Sequence, residues 1–314
     1  MLGAAGGHND YAGNEVDAIV LNVDTPRWVE VCKHSANSAV IDISQYYLDY
    51  RPAATHTYMA TQFVDQRNRM LVMPSEGLLG PTLWPQPPAG WPYDQSKNPL
   101  SQTYSFNMSS SDWDAPGYIA AYPGSGEFIA ALNVKHQITG DIYMARNYDF
   151  WWKWTQATNT WTNLGPSGYG FNNTGTAMDP TRNRMLVVGD YTATTAPRVM
   201  DLTGNPISLT FGGLGAAPLL TGAYSGMVYD EVNDNFLSFR NNGLIIEFYR
   251  IDAATFFVDK PVVTGTVPTA RPQGIHNSVQ YIPELGGFAL ANDYNGNVQF
   301  MRTSFTPSNL QIAA

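Results

Sequence analysis

Cysteine and charge are both scarce in this sequence, and each shortage narrows what the protein can be. Its 314 residues include one cysteine, Cys32, so an intrachain disulfide is excluded. Charged residues make up only 14% of the chain, and the net charge is −9. Because an acidic field repels phosphate backbones, we expect no nucleic-acid partner.

Long apolar runs are missing as well. No stretch approaches the roughly 20 consecutive apolar residues of a bilayer-spanning helix, so we expect no membrane insertion. The opening residues, MLGAAGGHND, contain neither a basic nor an apolar segment and do not resemble a signal peptide. Helical periodicity of any length is hard to find, which argues against a helical or α/β fold.

Turn-forming and aromatic residues take the place of the missing charges. The chain contains 28 Gly, 21 Pro, 18 Tyr and 8 Trp. This composition is typical of many short strands that are joined by tight turns.

One hairpin pattern recurs along the chain: a short apolar strand, a turn rich in Asp, Pro, Asn and Gly, and a second apolar strand. The copies begin about 50 to 60 residues apart, a spacing typical of propeller blades, and further strands follow each copy. We therefore predict an all-β fold, a single six-bladed β-propeller domain spanning residues 1–314. The copies are residues 58–73, 118–132, 176–188, 226–239 and 278–291.

The same turn is written near both ends of the chain, as NDYAGNEV at 9–16 and NDYNGNV at 292–298. We interpret each as the turn between the second and third strands of a blade, with Gly13 and Gly296 at matching positions of positive φ. On this interpretation Met1 lies in a second strand, and the first blade is incomplete because its innermost strand is missing. Either the tail 305–314 supplies a closing strand, or the native start lies upstream.

The stretch GGHNDYAGNEV followed by RW, together with the hairpins DQRNRMLV and DPTRNRMLV, resembles kelch-like propellers of the galactose-oxidase-like class. In particular it is similar to uncharacterised kelch-like proteins of tailed bacteriophages and bacteria. In those proteins a strand reading roughly YD-x-x-R-N-R-L precedes the Gly-Gly-His, and here that strand is absent. The resemblance covers nearly the whole chain at the level of architecture, and its motifs specify a fold better than an activity.

Propeller geometry predicts which residues share a face. Loops that follow the second strands, and loops that enter the innermost strands, emerge together, and we call their side the loop face. All five histidines of the chain are predicted to lie there. The candidate binding residues are His8, Asp10, Tyr11, His56, Trp84, Trp91, Tyr93, His136, Asp190, Tyr191, His276, Asp293 and Tyr294.

The longest insertion, residues 76–100, belongs to the same predicted face and is rich in proline and aromatic residues. Flat aromatic rings suit sugar rings and protein partners, so Trp84 and Trp91 are the expected anchors. The alternative is that both side chains pack beneath the loop and hold it in place.

Catalytic interpretations of the loop face are less well supported. The histidines come from different blades without an H-E-x-x-H spacing, so we expect no metal site and no cofactor. Asp10 and Asp293 occupy equivalent turn positions, which favours turn-making hydrogen bonds over a pair of glycosidase carboxylates. The segment DEVNDN (230–235) resembles a calcium loop only weakly.

The single cysteine has two interpretations. Cys32 is expected to be a small buried apolar residue on a strand. Lys33 and His34 follow it, and a cationic neighbourhood of this kind is what a reactive thiol would need.

The sequence thus predicts a non-enzymatic binding or structural module. We expect a virion-surface or tail-associated structural protein of a tailed phage, located on the virion or another extracellular surface. Its partners would be other virion or surface proteins, or a glycan, met through the loop face. The alternative is a carbohydrate-active enzyme, a lyase or glycoside hydrolase, with its site in the propeller funnel.

Overall fold

The protein is almost entirely β-structure. A computed structural model describes residues 2–4, 14–21, 26–39, 46–53, 57, 59–73, 103–123, 132–145, 150–171, 173–189, 196–220, 225–271, 274–291, 298–303 and 309–313. These residues form 25 strands, and their helical residues are confined to 3-10 turns of three residues. No helix in this part of the chain has the length and apolar character needed to cross a membrane. The expected all-β class is confirmed.

The strands form six sheets. The first has three strands, β1 (Leu2–Ala4), β2 (Val16–Val20) and β3 (Arg27–Cys32). Two sheets of four strands follow, with β4 (Thr61–Val64), β5 (Arg69–Val72), β6 (Tyr104–Asn107) and β7 (Asp112–Trp113), and then β8 (Leu132–Lys135), β9 (Ile142–Ala145), β10 (Phe150–Thr155) and β11 (Thr160–Pro166). A further four-stranded sheet contains β12 (Gly175–Asp179), β13 (Arg184–Val188), β14 (Arg198–Asp201) and β15 (Pro206–Ile207).

The last two sheets have five strands each. One contains β16 (Gly212–Gly213), β17 (Gly226–Asp230), β18 (Asn235–Asn242), β19 (Ile245–Asp252) and β20 (Phe257–Asp259). The other contains β21 (Val262–Thr264), β22 (Val279–Ile282), β23 (Gly287–Leu290), β24 (Gln299–Thr303) and β25 (Asn309–Ala313). In each, sequential strands pair antiparallel, and one extra strand joins the outer edge in parallel, β16 beside β20 and β21 beside β25.

The sheets with four or five strands are propeller blades, and the described residues contain five of them, so the predicted count of six is wrong. The N-terminal sheet has only three strands. There β1 pairs with β2 antiparallel. In the tail, β25 is the strand beside β24 in the last blade. The turn glycines Gly13 and Gly296 lie outside the described residues.

One predicted hairpin is misplaced. We expected 118–132 to form the inner pair of strands of a blade, but residues 118–123 form no strand. The inner strands of this blade are β8 and β9, which are joined by the residues HQITGD (136–141). The apolar residues before the PGSG sequence suggested a strand, whereas the polar residues after β8 weakened the signal of the true hairpin.

The chain divides into two compact units. The first unit comprises residues 1–131, 139–142 and 153–162, and the second comprises 132–138, 143–152 and 163–314. Residues of the sheet β8 to β11 are shared between the two lists. In the second unit, the innermost strands follow one another in space as in sequence, since β12 contacts β8 and β17, and β17 contacts β22.

The inner hairpins share one backbone device. In four of them, the residue just before the second strand of the blade has a left-handed conformation, which is least costly for Gly, Asn and Asp. These residues are Asn68 (φ 50°), Asn183 (φ 54°), Asp234 (φ 55°) and Gly286 (φ 60°). The turn composition noted in the sequence therefore has a direct steric cause.

Apolar clusters fill the space between neighbouring sheets of the second unit. One cluster joins β8 and β10 to β12 and β13 through Leu132, Trp151, Met178 and Met185, all fully buried. A second joins the β12 and β17 blades, and a third joins the β17 and β22 blades. A smaller cluster in the first unit contains Val16, Cys32, Met70 and Phe106.

A backbone carbonyl recurs at the junctions between neighbouring blades. In three blades, the residue that directly follows the third strand accepts a hydrogen bond from a side chain of the preceding blade. Arg67 donates to the carbonyl of Gln156 through Nε at 3.1 Å, Trp151 donates to Leu202 at 3.4 Å, and Arg184 donates to Ala253. We call these acceptors the junction carbonyls.

Candidate binding surface

Most of the candidate residues from the sequence lie outside the described part of the chain. These are His8, Asp10, Tyr11, His56, Trp84, Trp91, Tyr93, Asp190, Tyr191, Asp293 and Tyr294. Of the thirteen candidates, the structure describes two, His136 and His276. Binding through any of these residues stays a prediction.

The two described histidines occupy different kinds of position. His276 precedes the innermost strand β22, in a segment where we expected it, and it is 8% exposed with a φ of 47°. His136 directly follows β8, at the start of an inner hairpin turn, and not after a second strand as predicted. It is buried, and its Nε2 lies 3.0 Å from Oδ1 of Asn183. These positions place the two histidines at opposite ends of inner strands.

Cys32 agrees with the simpler of its two interpretations. Its thiol is 5% exposed and lies 3.7 Å from Oδ1 of Asp112. Burial is the main cause that raises the pKa of the thiol to about 11, and Asp112 adds to the effect. A thiol with this pKa is protonated near neutral pH and is a poor nucleophile.

The acidic segment 230–235 contains a turn, and two of its three carboxylates, those of Asp230 and Asp234, are engaged by the protein itself. Oδ1 of Asp230 accepts hydrogen bonds from the backbone N–H of Val232 (3.0 Å) and Asn233 (3.1 Å). Asp234 accepts from Arg182 and from the hydroxyl of Tyr229. Among the described residues, no group of three or more His, Cys, Asp or Glu side chains is arranged to hold a metal ion.

Asp179 anchors a network of charges between two blades of the second unit. Its fully buried carboxylate accepts from Nη1 of Arg182 at 2.9 Å and from Nε of Arg184 at 3.2 Å. Arg182 continues to Asp234, with Nη2 and Oδ2 2.5 Å apart, and this contact is the main cause that lowers the pKa of Asp234. The network fixes the geometry of two hairpin turns and leaves its carboxylates committed to arginines.

Glu247, a buried residue on β19, lies at the centre of a second network. Its Oε2 accepts from Arg240 at 2.7 Å and from the hydroxyl of Tyr249 at 3.0 Å, and its Oε1 accepts from Lys260 at 2.7 Å. Burial alone would raise the pKa of this carboxyl, but hydrogen bonds from Lys260, Arg240, Asn242 and Tyr249 outweigh burial and lower it to about 2. Glu247 is therefore an ionised structural group and not a general acid.

An exposed aromatic turn, which we call the tyrosine turn (residues 46–52), projects from the first unit. Tyr46 and Pro52 form an isolated β-bridge, and the N–H of Tyr47 donates to the carbonyl of Arg51 at 2.8 Å. The N–H of Tyr50 donates to the carbonyl of Tyr47 at 2.9 Å. Together these bonds close a tight turn.

The tyrosine turn is anchored by two of its side chains and displays two others. Tyr47 is only 3% exposed, and Arg51 bonds the carbonyl of Lys33 at 2.8 Å and Asp112 at 3.1 Å. Leu48 is 61% exposed and Tyr50 is 71% exposed. Tyr50 also has a φ of 64°, a conformation uncommon for a bulky residue.

A second exposed apolar feature lies in the second unit, at the turn between β18 and β19, and we call it the apolar tip (residues 242–245). Asn242 pairs with Ile245, so the loop has two residues, Gly243 and Leu244. Gly243 has a φ of 61°, as a type II′ turn requires at its first position. Leu244 is 86% exposed, and its carbonyl accepts from the N–H of Ala270 at 2.8 Å.

A small cavity beside the apolar tip offers no ligand site. It is lined by Phe239, Phe248, Pro268 and other mostly apolar residues, and its volume is about 10 Å³. That is scarcely room for one water molecule, and far below the several hundred cubic ångströms of an ordinary ligand pocket.

Comparison with known proteins adds little beyond architecture. No family model matches the chain, and no curated protein matches it. Among solved structures it is similar to TolB from Acinetobacter baumannii, with 13% identity, a TM-score of 0.38, and coverage of 67% of this chain and 48% of that one. It is also similar to a protein from Lactobacillus plantarum, with 11% identity, a TM-score of 0.42, and coverage of 68% and 61%. The chain spans less than two thirds of the length of either protein, and neither likeness carries an argument about function.

Proposed function

We propose that this propeller is a non-enzymatic binding module that contacts a protein or glycan partner through exposed turns. In its finer form, the proposal is a kelch-like structural protein on the virion surface or tail of a tailed phage. The observation that carries the proposal is the tyrosine turn, where Tyr50 is 71% exposed and held at a φ of 64°.

Displaying Tyr50 in this conformation costs the fold free energy. A bulky residue with positive φ is strained by about 1 to 3 kcal/mol, and strain of this kind concentrates at binding and catalytic sites. An exposed ring also forgoes the stabilisation that burial would give. Because backbone hydrogen bonds close the turn that displays Tyr50 and Leu48, we expect the turn to be preorganised for contact.

The engagement of two buried carboxylates, Glu247 and Asp179, supports a binding role over the enzymatic alternative. Glu247 bonds Arg240, Lys260 and Tyr249, and Asp179 bonds two arginines. A glycosidase needs carboxyl groups that exchange protons with substrate or water. The binding experiment below therefore also tests for cleavage of the glycan, which would indicate an enzyme.

The finer form of the proposal rests on the sequence resemblance to kelch-like phage proteins. We expect a mass-spectrometric inventory of purified particles, from the phage or prophage that carries the gene, to contain this chain at a copy number comparable with known tail components. The physical reason is that a structural part must be present in stoichiometric amounts. Detection only in the soluble lysate, with clean particles that lack the chain, would contradict the virion location.

Tyr50→Asn tests the binding surface. Asparagine tolerates positive φ, so we expect unchanged or slightly higher thermal stability. Loss of an exposed anchor is expected to weaken binding to host-cell envelope fragments or to a glycan array by about 30-fold, which corresponds to about 2 kcal/mol.

Ile138→Asn is the matched control, because Ile138 is 67% exposed and belongs to the turn after β8. It should leave binding unchanged. Normal binding by Tyr50→Asn would show that the tyrosine turn is not part of the contact surface. Release of reducing sugars from the glycan would favour the enzymatic alternative.

A further inference from the structure

The apolar tip carries an asparagine-glycine pair in an exposed position. Asn242 and Gly243 are both exposed, and a Cβ built on Gly243 would meet no atom within 4 Å. Asn242 pairs with Ile245 across the hairpin, so the two loop residues stand outside the ladder. Among the described residues, no turn or loop backbone hydrogen bond uses the N–H of Gly243.

This arrangement favours a reaction within the chain. Asparagine is a chemically labile residue, and its side chain lies close to the backbone that follows it. Glycine has no side chain to shield its own nitrogen or to restrict the approach of that nitrogen to the preceding side chain. Both residues of the pair are exposed to solvent at the tip.

We propose that Asn242 is a modification site, at which the side-chain amide converts spontaneously to aspartate and isoaspartate. The backbone nitrogen of Gly243 attacks Cγ of Asn242, forming an N–Cγ bond. The Cγ–Nδ2 bond breaks, and Nδ2 leaves as ammonia together with the proton from the Gly243 nitrogen. Water then opens the cyclic imide at either carbonyl, so that one water is consumed and one ammonia is released, with no oxidant or cofactor.

The surroundings of Asn242 determine what this conversion does. The side chain of Asn242 is on the same side of the hairpin as Glu247 and contributes to the lowered pKa of that carboxyl. Conversion replaces that amide with a second carboxylate beside Glu247, whose positive partners are Arg240 and Lys260. The isoaspartate product also adds a methylene to the main chain, which breaks the pairing of Asn242 with Ile245. The tip therefore changes both charge and shape.

Trypsin makes the reaction easy to follow, because cleavage after Arg240 and Arg250 releases the peptide NNGLIIEFYR. Intact folded protein is incubated at mildly alkaline pH and sampled over weeks. We expect the mass increase of amide-to-acid conversion at Asn242 to appear about tenfold faster than at its neighbour Asn241, which is followed by a bulkier residue. Fragmentation locates the change, and an isoaspartate-specific methyltransferase identifies the isomer.

Asn242→Gln is the control variant, since it keeps an amide but lengthens the side chain beyond easy ring closure, and it should show no conversion at this position. A synthetic NNGLIIEFYR peptide gives the rate without the fold. If the peptide converts while Asn242 in the folded protein stays intact, the hairpin protects the pair and the proposal is wrong. Conversion confined to Asn241 would overturn it as well.

Discussion

Replacing Trp151 with alanine is expected to lower the free energy of unfolding by about 3 to 5 kcal/mol, the usual loss for removing a large buried aromatic side chain. Trp151 is fully buried on β10, and its ring centroid lies 5.6 Å from that of Phe171. A Cβ added at Gly204 would lie only 3.0 Å from the indole ring, so the site is tightly filled. The variant also loses the hydrogen bond from the indole N–H to the carbonyl of Leu202.

Urea unfolding followed by far-ultraviolet circular dichroism measures the loss. Trp28→Ala is the matched control, because Trp28 is 42% exposed on β3 and its removal leaves no comparable cavity. Equal losses in the two variants would show that Trp151 does not hold its blade to the next one.

Replacing Glu247 with glutamine is expected to destabilise the protein by roughly 3 kcal/mol near neutral pH, with a loss that shrinks on acidification. The folded-state pKa of Glu247 is lowered from 4.5 to about 2. A depressed pKa stabilises the folded state above the unfolded-state value, and this contribution is lost as the pH falls from about 4.5 towards 2. The wild-type and variant stabilities should therefore converge in acid.

Denaturant midpoints at about pH 7 and about pH 3 test this convergence. Glu284→Gln is the control, because Glu284 is an exposed carboxylate in a 3-10 turn. At each of the two pH values, this variant should be nearly as stable as the wild type. A difference between wild type and Glu247→Gln that stays constant with pH would show that packing, and not ionisation, explains the loss.

The sequence predicted those blades whose inner hairpin turn has Asn or Asp at the residue that must adopt a positive φ. The hairpins at 58–73, 176–188 and 226–239 each place Asn or Asp at the residue of positive φ, between two apolar strands. The hairpin of β8 and β9 was not predicted because Lys135, the last residue of β8, and His136, the first residue of the turn, interrupt the apolar pattern. The predicted count of six blades depended on the N-terminal sheet, which has three strands.

The tyrosine turn was not among the candidate binding residues predicted from the sequence. Tyr50 and Leu48 belong to the sequence YYLDYRP, which has no counterpart in the repeat, and composition alone does not distinguish an exposed aromatic residue from a buried one. A spacing rule could have found the second hairpin of three blades. Asn107, Thr155 and Asp252 each precede a residue of positive φ by four positions, namely Ser111, Asn159 and Phe256.

The junction carbonyls bear on how such repeats can diverge. A side-chain acceptor disappears when its residue mutates, but the main-chain oxygens of Gln156, Leu202 and Ala253 persist whatever residue occupies those positions. Only the donor must be retained, and two different residue types serve, Arg67 and Arg184 as guanidinium groups and Trp151 as an indole. The acceptor of each inter-blade hydrogen bond is therefore retained when its residue is substituted. The sequences of the blades can therefore diverge widely while the junctions between neighbouring blades keep their geometry.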